Sequence, residues 1–186
     1  FDTWQERWGN TDRVLTEEQN ESVAMQTFSG FDLTKRIVEA QVNIDGMTAA
    51  KRCWNYQKGD LQWYLPCLME LGVLRAYRDE INKAMEEIGC PDECLLPTED
   101  SDETWVWSSS EGSQGGSWYV YFSNGNFFSS YKYFSYMVRA VAAFQPSPSL
   151  LTGEAKSNDC LHSDEVLINM LRERGYKGEL TKTLTI

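Results

Sequence analysis

The feature that most constrains the fold is an alternating aromatic segment that ends in a tight-turn signal. Residues 117–123 read Ser-Trp-Tyr-Val-Tyr-Phe-Ser, and Asn124-Gly125 follows directly. Successive side chains of a β-strand point to opposite faces of its sheet, so this segment predicts a strand with two distinct faces. Asn-Gly between such segments is a strong β-hairpin signal. One face would carry Trp118, Val120 and Phe122, and the other Tyr119 and Tyr121.

The hairpin signal is followed by a segment, residues 127–136, that is dense in aromatic side chains and has no regular period. It reads Phe-Phe-Ser-Ser-Tyr-Lys-Tyr-Phe-Ser-Tyr, and Lys132 is its one charged residue. Tyr and Phe offer large, rigid contact areas at low entropic cost, and Ser and Gly adapt around them. A buried strand or helix face would show a period. We therefore predict that residues 127–136 are exposed and form a ligand-binding face.

Composition limits the classes of partner and cofactor. The chain has 28 acidic and 17 basic residues, a formal net charge of −11, which argues against a nucleic-acid or anionic-membrane partner. It has no run of about 18 apolar residues, so direct membrane insertion is not expected. Cys90 and Cys94 have a C-x3-C spacing, but His162 is the one histidine, so we expect no metal and no cofactor. The five cysteines are an odd number, which leaves their pairing open.

Two helices are predicted before the hairpin. The first follows Thr48 as its N-cap and covers residues 49–57, with Gly59 as its stop signal. The second is longer, because apolar residues recur at three- and four-residue steps over residues 74–88. Gly89 suits the C′ position that ends it.

Three further segments are predicted to be extended: residues 31–45, 104–108 and 137–144. Residues 1–30 are polar and acidic and are interpreted as an N-terminal segment, in which Thr16 begins a short helix. Within residues 104–108, both tryptophans would face one way. The predicted core consists of Trp63, Trp105, Trp107, Trp118, Val120, Phe122, Val138 and Phe144.

Residues 145–186 are interpreted as a linker and a C-terminal extension. The run Gln-Pro-Ser-Pro-Ser at 145–149 breaks the preceding pattern. A helix with Ser163 as its N-cap and a terminal strand over residues 179–186 would follow. Such a helix–strand unit is too small to fold alone, so we expect it to pack on the main domain or on a partner chain.

Several segments, taken in order, resemble bacterial and phage domains of the C-type-lectin fold. Residues 63–66 read Trp-Tyr-Leu-Pro before Glu70-Leu71, residues 107–111 read Trp-Ser-Ser-Ser-Glu, and residues 118–125 end in Phe-Ser-Asn-Gly. Tyr-x-Val-Arg-Ala-Val follows at residues 136–141. The likeness spans about residues 31–144. It implies an α+β chain with a C-type-lectin fold, in which two helices flank a twisted, mainly antiparallel sheet, plus a small C-terminal helix–strand extension.

Within that fold, the chain is most similar to the variable proteins of diversity-generating retroelements, which include phage tropism determinants. In that family a reverse transcriptase mutates template adenines, mostly in AAY codons for asparagine. A randomised NNY codon can encode Phe, Ser, Tyr and Gly but not Lys or Met. Residues 127–131 and 133–136 hold Phe, Ser and Tyr alone, whereas Lys132 and Met137 fall outside that code. The resemblance implies a variable region at about residues 107–137, with those two positions fixed or altered by a single base.

These features together predict a non-catalytic binding protein that displays a diversified Tyr/Phe/Ser/Gly surface on a fixed scaffold. The expected ligand is a macromolecule, either a protein or a cell-surface receptor, and a homo-oligomer is compatible with it. A virion or a cell surface is the expected location. The predicted ligand-binding residues are Gly112, Gly115, Gly116, Tyr121, Phe127, Phe128, Ser129, Ser130, Tyr131, Tyr133, Phe134, Ser135 and Tyr136.

Three other functions compete with this one. A calcium-dependent sugar lectin needs converging carboxylate and amide oxygens, and its Glu-Pro-Asn and Gln-Pro-Asp signatures are missing from the sequence. An enzyme needs an oriented acid–base pair, yet His162 stands alone in the extension, and Glu70 and Glu111 fit structural roles better. The alternative that stays open is a structural virion or surface protein whose C-terminal extension mediates assembly.

Overall fold

The fold was analysed in a computed structural model that describes residues 4–9, 13–41, 45–59, 61–98 and 104–142. The predicted linker and C-terminal extension at 145–186, with Cys160 and His162, lie outside the described residues, as does Phe144.

Helices and strands are mixed along the described ranges, which confirms the α+β class. The helices are α1 (Glu21–Ala24), α2 (Gly30–Ala40), α3 (Ala49–Trp54), α4 (Leu68–Ala76) and α5 (Arg78–Glu87), with a 3₁₀ turn at Asp92–Cys94. The strands are β1 (Trp4–Arg7), β2 (Trp63–Tyr64), β3 (Trp105–Glu111), β4 (Gly116–Tyr121), β5 (Asn126–Tyr131), β6 (Ser135–Val138) and β7 (Val141–Ala142). In the part of the chain that is described, no helix has the length and apolar character needed to cross a membrane.

The main sheet has five strands in the order β1-β6-β3-β4-β5. Neighbouring strands within this sheet are antiparallel, except for β3 and β6, which are parallel. The predicted hairpin is confirmed: β4 and β5 pair from Tyr121 opposite Asn126 to Gly116 opposite Tyr131. Gly125 has φ +79 in the connecting turn, a conformation that favours glycine. A second, two-stranded sheet pairs β2 with β7.

Both faces of the main sheet are covered, which explains why alternate residues of β4 enter different cores. Tyr119 joins one cluster with Trp107, and helices α2 and α3 supply apolar residues to it. Val120 and Phe122 join a second cluster, to which α4 contributes Leu68 and Leu71. The predicted two-faced strand is therefore correct. Trp105 and Trp107 face the same cluster, as predicted, but Trp105 and Trp118 are only partly buried.

Residues 4–7 enter the main sheet as β1, which the sequence did not predict. Strand β1 pairs with β6, with Trp4 opposite Val138. Trp8 is fully buried, and its Nε1 donates to the carbonyl of Ser108 at 2.7 Å. The short helix predicted at Thr16 is wrong, because α1 begins at Glu21 with Asn20 as its N-cap. The Thr16 hydroxyl instead donates to Glu111.

The prediction of extended structure at 31–45 is wrong for most of that segment. Residues 30–40 form α2, whose buried residues Gly30, Leu33, Thr34 and Ile37 recur at helical spacing. The Thr34 hydroxyl donates to the Leu65 carbonyl at 2.9 Å and so ties α2 to the chain beside β2. Tertiary packing outweighs the strand preference of the β-branched residues here.

Several element boundaries also differ from prediction. The helix predicted over 49–57 begins at Ala49 as expected but ends at Trp54. The single helix predicted over 74–88 is two helices, because the backbone at Tyr77 leaves helical geometry with φ −107 and ψ 21. The predicted stop at Gly89 is correct, since α5 ends at Glu87 and Gly89 has φ +75. The strand predicted over 137–144 is broken between β6 and β7, where Arg139 turns inward and donates to the Cys94 carbonyl at 2.6 Å.

Candidate functional site

Three aromatic rings form an exposed group at the β5–β6 turn, which we call the turn cluster: Tyr131, Tyr133 and Phe134. Their exposed fractions are 60%, 56% and 42%. Tyr131 and Tyr133 are stacked, with ring centroids 5.4 Å apart and planes 8° apart. Tyr133 and Phe134 follow at 4.6 Å. A contiguous group of exposed rings is unusual on a protein surface, which makes the turn cluster a candidate contact site.

Tyr136 connects the turn cluster to the core. Its ring lies 6.2 Å from Phe134 on one side, and 5.0 Å from Trp105 and 4.6 Å from Trp107 on the other. Its hydroxyl shares a hydrogen bond of 2.8 Å with the Ser130 hydroxyl. Tyr136, a predicted contact residue, is therefore half-buried and serves as the base on which the exposed rings rest.

Beside the turn cluster lies an open depression of about 550 Å³, which we call the serine concavity. No charged side chain is among the residues that line it. Gly115 leaves open space, since a Cβ added there would meet nothing within 4 Å. Ser113 is a lining residue that the sequence did not single out. The lining residues are Ser113, Gly115, Gly116, Ser129, Ser130, Tyr131 and Phe134.

A buried ion pair holds the turn between the exposed rings. Lys132 and Glu111 both have side chains that are 0% exposed, and Nζ lies 2.5 Å from Oε1. Nζ also donates to the Gln114 carbonyl at 2.8 Å and lies 4.7 Å from the centre of the Trp8 ring. The polar requirements of this lysine are therefore met inside the protein. Its backbone cannot move without disturbing the whole network.

The Glu111 carboxylate extends that network to the N-terminal region. Its Oε2 accepts from the backbone N–H of Leu15 at 2.9 Å and from the Thr16 N–H and hydroxyl at 2.5 and 2.6 Å. This confirms the predicted structural role of Glu111. Glu70 is also structural, because its Oε2 accepts from the Cys67 N–H at 2.9 Å and caps α4.

The other predicted site residues divide between the surface and the core. Phe128 is 46% exposed and its ring lies 5.9 Å from that of Tyr119, while Ser129 and Ser135 are also exposed. Phe127 packs against the second core cluster, and Tyr121 is half-buried beside Trp105. Gly116 is buried and Gly112 is half-buried. Close approach explains both glycines, since a Cβ would come within 2.9 Å and 3.0 Å of the Ser129 hydroxyl.

Titratable groups elsewhere in the described ranges do not assemble into a metal centre. No group of three His, Cys, Asp or Glu side chains there could hold an ion. Burial raises the pKa of the Cys53 thiol above its ordinary value. Burial, with the nearby Glu70 charge, does the same for Cys67. Both thiols are therefore protonated near neutral pH, when they are poor nucleophiles and poor metal ligands.

Comparison with known proteins gives no relative from which a function could be transferred. No protein-family model matches the chain, and neither a curated protein nor a solved structure does. The function is therefore inferred from the geometry of the surface.

Proposed function

We propose that this chain is a non-catalytic binding protein with a C-type-lectin fold, which recognises a macromolecular ligand through the turn cluster and the serine concavity. The observation that carries the proposal is the stacked, exposed set of Tyr131, Tyr133 and Phe134 next to an uncharged depression. Large rings that lose water on contact are the usual hot spots of protein interfaces. Serine hydroxyls in the concavity would supply directional hydrogen bonds to the ligand.

Rigid presentation makes such a surface effective. Binding normally loses free energy when mobile side chains become ordered. Here the rings stack on one another and on Tyr136, which rests on two core tryptophans. Lys132 fixes the intervening backbone from below through Glu111. Little ordering is left for the ligand to impose, so most of the desolvation energy of the rings is available for affinity.

The same surface fits the variable region of a diversity-generating retroelement. Such a protein must keep framework residues constant while surface residues change. Lys132, which the NNY code excludes, is fully buried, and Met137, which it also excludes, packs against the second core cluster. The exposed residues around them at 128–129, 131 and 133–135 are Phe, Ser and Tyr, which the code allows. The most buried of these positions, Lys132, is thus one that the code excludes, whereas Phe127, Ser130 and Tyr136, which the code allows, are partly buried like Met137.

A display experiment tests the proposal without a known ligand. A phage library of random peptides is selected on the immobilised full-length chain, and the affinities of the recovered peptides are measured by biolayer interferometry. Tyr133→Ala and Phe134→Ala are each expected to weaken binding by about tenfold or more, as for hot-spot residues. The result shows whether the turn cluster is the preferred contact surface.

The chain offers a matched control for this experiment. Tyr77 is 56% exposed, the same fraction as Tyr133, but it lies between α4 and α5. Tyr77→Ala should leave the affinity of the selected peptides unchanged. If peptides from independent selections bind Tyr133→Ala and Phe134→Ala as tightly as the wild type, the proposed function is wrong.

A further inference from the structure

Strand β5 forms one edge of the main sheet, and its outer side has no partner strand in the described structure. The strand order ends at β5, and in the described ranges its sole ladder is with β4. An open edge presents a row of N–H and C=O groups that can accept another strand.

The register identifies which residues of β5 face outward. The Lys132 N–H donates to the Gly115 carbonyl at 3.0 Å, directly across from it in the β4–β5 register. Hydrogen-bonded and non-hydrogen-bonded pairs alternate along an antiparallel ladder, so Ser130 and Phe128 also point their backbone groups at β4. The outward-facing N–H and C=O groups therefore belong to Phe127, Ser129 and Tyr131. Among them, the Tyr131 carbonyl already accepts from the Phe134 N–H at 3.1 Å.

The two edge strands of this sheet differ in charge. At the other edge, β1 carries Glu6 and Arg7, and charged residues are a common protection against unwanted strand pairing. Strand β5, Asn-Phe-Phe-Ser-Ser-Tyr, has no charge and no proline. Two copies of a chain with a net charge of −11 repel each other, so they meet most favourably along a neutral strip. The neutral strip that β5 provides is also the one whose backbone groups are open.

We propose that two copies of this chain pair through β5 as antiparallel strands related by a two-fold axis at Ser129. Ser129 then faces Ser129 of the other copy, and Phe127 of each copy faces Tyr131 of the other. This register forms about four backbone hydrogen bonds between open groups, and two more would share the Tyr131 carbonyls, which already accept from the Phe134 N–H groups. Each copy thereby adds Phe127 to the surroundings of a turn-cluster ring in the other. Pairing does not depend on the proposed ligand binding.

Proline tests the backbone hydrogen bonds directly. Ser129→Pro removes the outward N–H at the axis but keeps the β4–β5 ladder, since proline is tolerated on an edge strand where its nitrogen faces solvent. Sedimentation equilibrium of the full chain should show a concentration-dependent dimer for wild type and for Ser129→Ala. The dimerisation affinity of Ser129→Pro should be lower than that of wild type by about tenfold or more. A monomeric wild type, or equal loss in Ser129→Ala and Ser129→Pro, overturns the proposal.

Opposite charges test the symmetry and do not depend on tolerance of proline. Ser129 is exposed, so Ser129→Lys and Ser129→Asp should both fold. Across the two-fold axis each variant places like charges directly opposite, which destabilises strand pairs. Each alone is expected to be monomeric, and an equimolar mixture is expected to recover the dimer. A mixture no more dimeric than its components contradicts the Ser129 axis, whether or not the turn cluster binds a ligand.

Discussion

Lys132 stands between two exposed tyrosines in sequence, yet its ammonium group is fully buried 2.5 Å from a carboxylate oxygen of Glu111. The pair joins the end of β3 to the β5–β6 turn, and through Leu15 and Thr16 it joins both to the N-terminal region. An exposed turn is thus attached to the described structure at a fully buried ion pair. This explains how a turn rich in large rings can stay in one conformation.

Removing the lysine should therefore be costly. In Lys132→Met, the Glu111 carboxylate remains buried without its cation, and breaking a buried pair in this way destabilises proteins by about 3–5 kcal/mol. Urea denaturation would measure the loss in free energy of unfolding. The double variant Lys132→Met with Glu111→Gln removes the buried charge and should recover part of the loss, giving a coupling energy between the two sites. A loss in the free energy of unfolding below about 1 kcal/mol in Lys132→Met would contradict a stabilising role of the Lys132–Glu111 pair.

Tyr133 and Tyr136 should differ in their effect on stability, although both were predicted as contact residues. Tyr133 is exposed, so Tyr133→Ala should change the free energy of unfolding by no more than about 0.5 kcal/mol. Tyr136→Ala leaves a gap against Trp105 and Trp107 and should cost about 2–3 kcal/mol. Thermal and urea denaturation of the two variants would test this. Equal losses would show that the turn cluster belongs to the core.

Stability should fall in mild alkali because of Cys53. Burial raises the pKa of its thiol in the folded state, whereas the unfolded chain ionises near the ordinary value of about 8.5. The stabilisation is complete below the unfolded pKa and is lost as the pH rises above it, by about 1.4 kcal/mol per pH unit for one proton. Urea denaturation between about pH 7 and 10 should show this decline, and Cys53→Ala should reduce its slope. An unchanged slope would exclude Cys53 as a cause.

The parts of the fold that the sequence predicted correctly depend on neighbours in sequence. The β4–β5 hairpin follows from alternation and Asn124-Gly125, and the end of α5 follows from Gly89. Strand β1 depends instead on its pairing with β6 near the far end of the described chain, so nothing local identifies it. The extended structure predicted for residues 31–40 is wrong because their β-branched residues favour strands, whereas the buried face of α2 has helical spacing.

The sequence predicted the location of the candidate site but not which of its residues are buried. Aromatic content and absence of a period indicated an exposed segment, and Tyr131, Tyr133 and Phe134 are exposed. The same argument could not distinguish the half-buried Tyr136 from the exposed rings, because its burial depends on tryptophans of another strand. Nor could it find the partner of Lys132, because Glu111 is 21 residues earlier in the chain. The available sequence signal for this ion pair was a single lysine in an otherwise uncharged segment, together with an acidic residue just after a predicted strand.

Filling the serine concavity should block ligand binding without unfolding the protein. Gly115 lines the concavity and has open space around its Cβ position, and its φ is not in the left-handed region. Gly115→Arg should therefore leave the thermal midpoint within about 2 °C of wild type, since surface substitutions away from special features have small effects. The arginine side chain should nevertheless lower the affinity of the selected peptides by about tenfold or more if they bind in the concavity. Gly115→Ala adds one methyl group and is the matched control, which should bind nearly as the wild type does. Full affinity in Gly115→Arg would restrict the binding surface to the turn cluster.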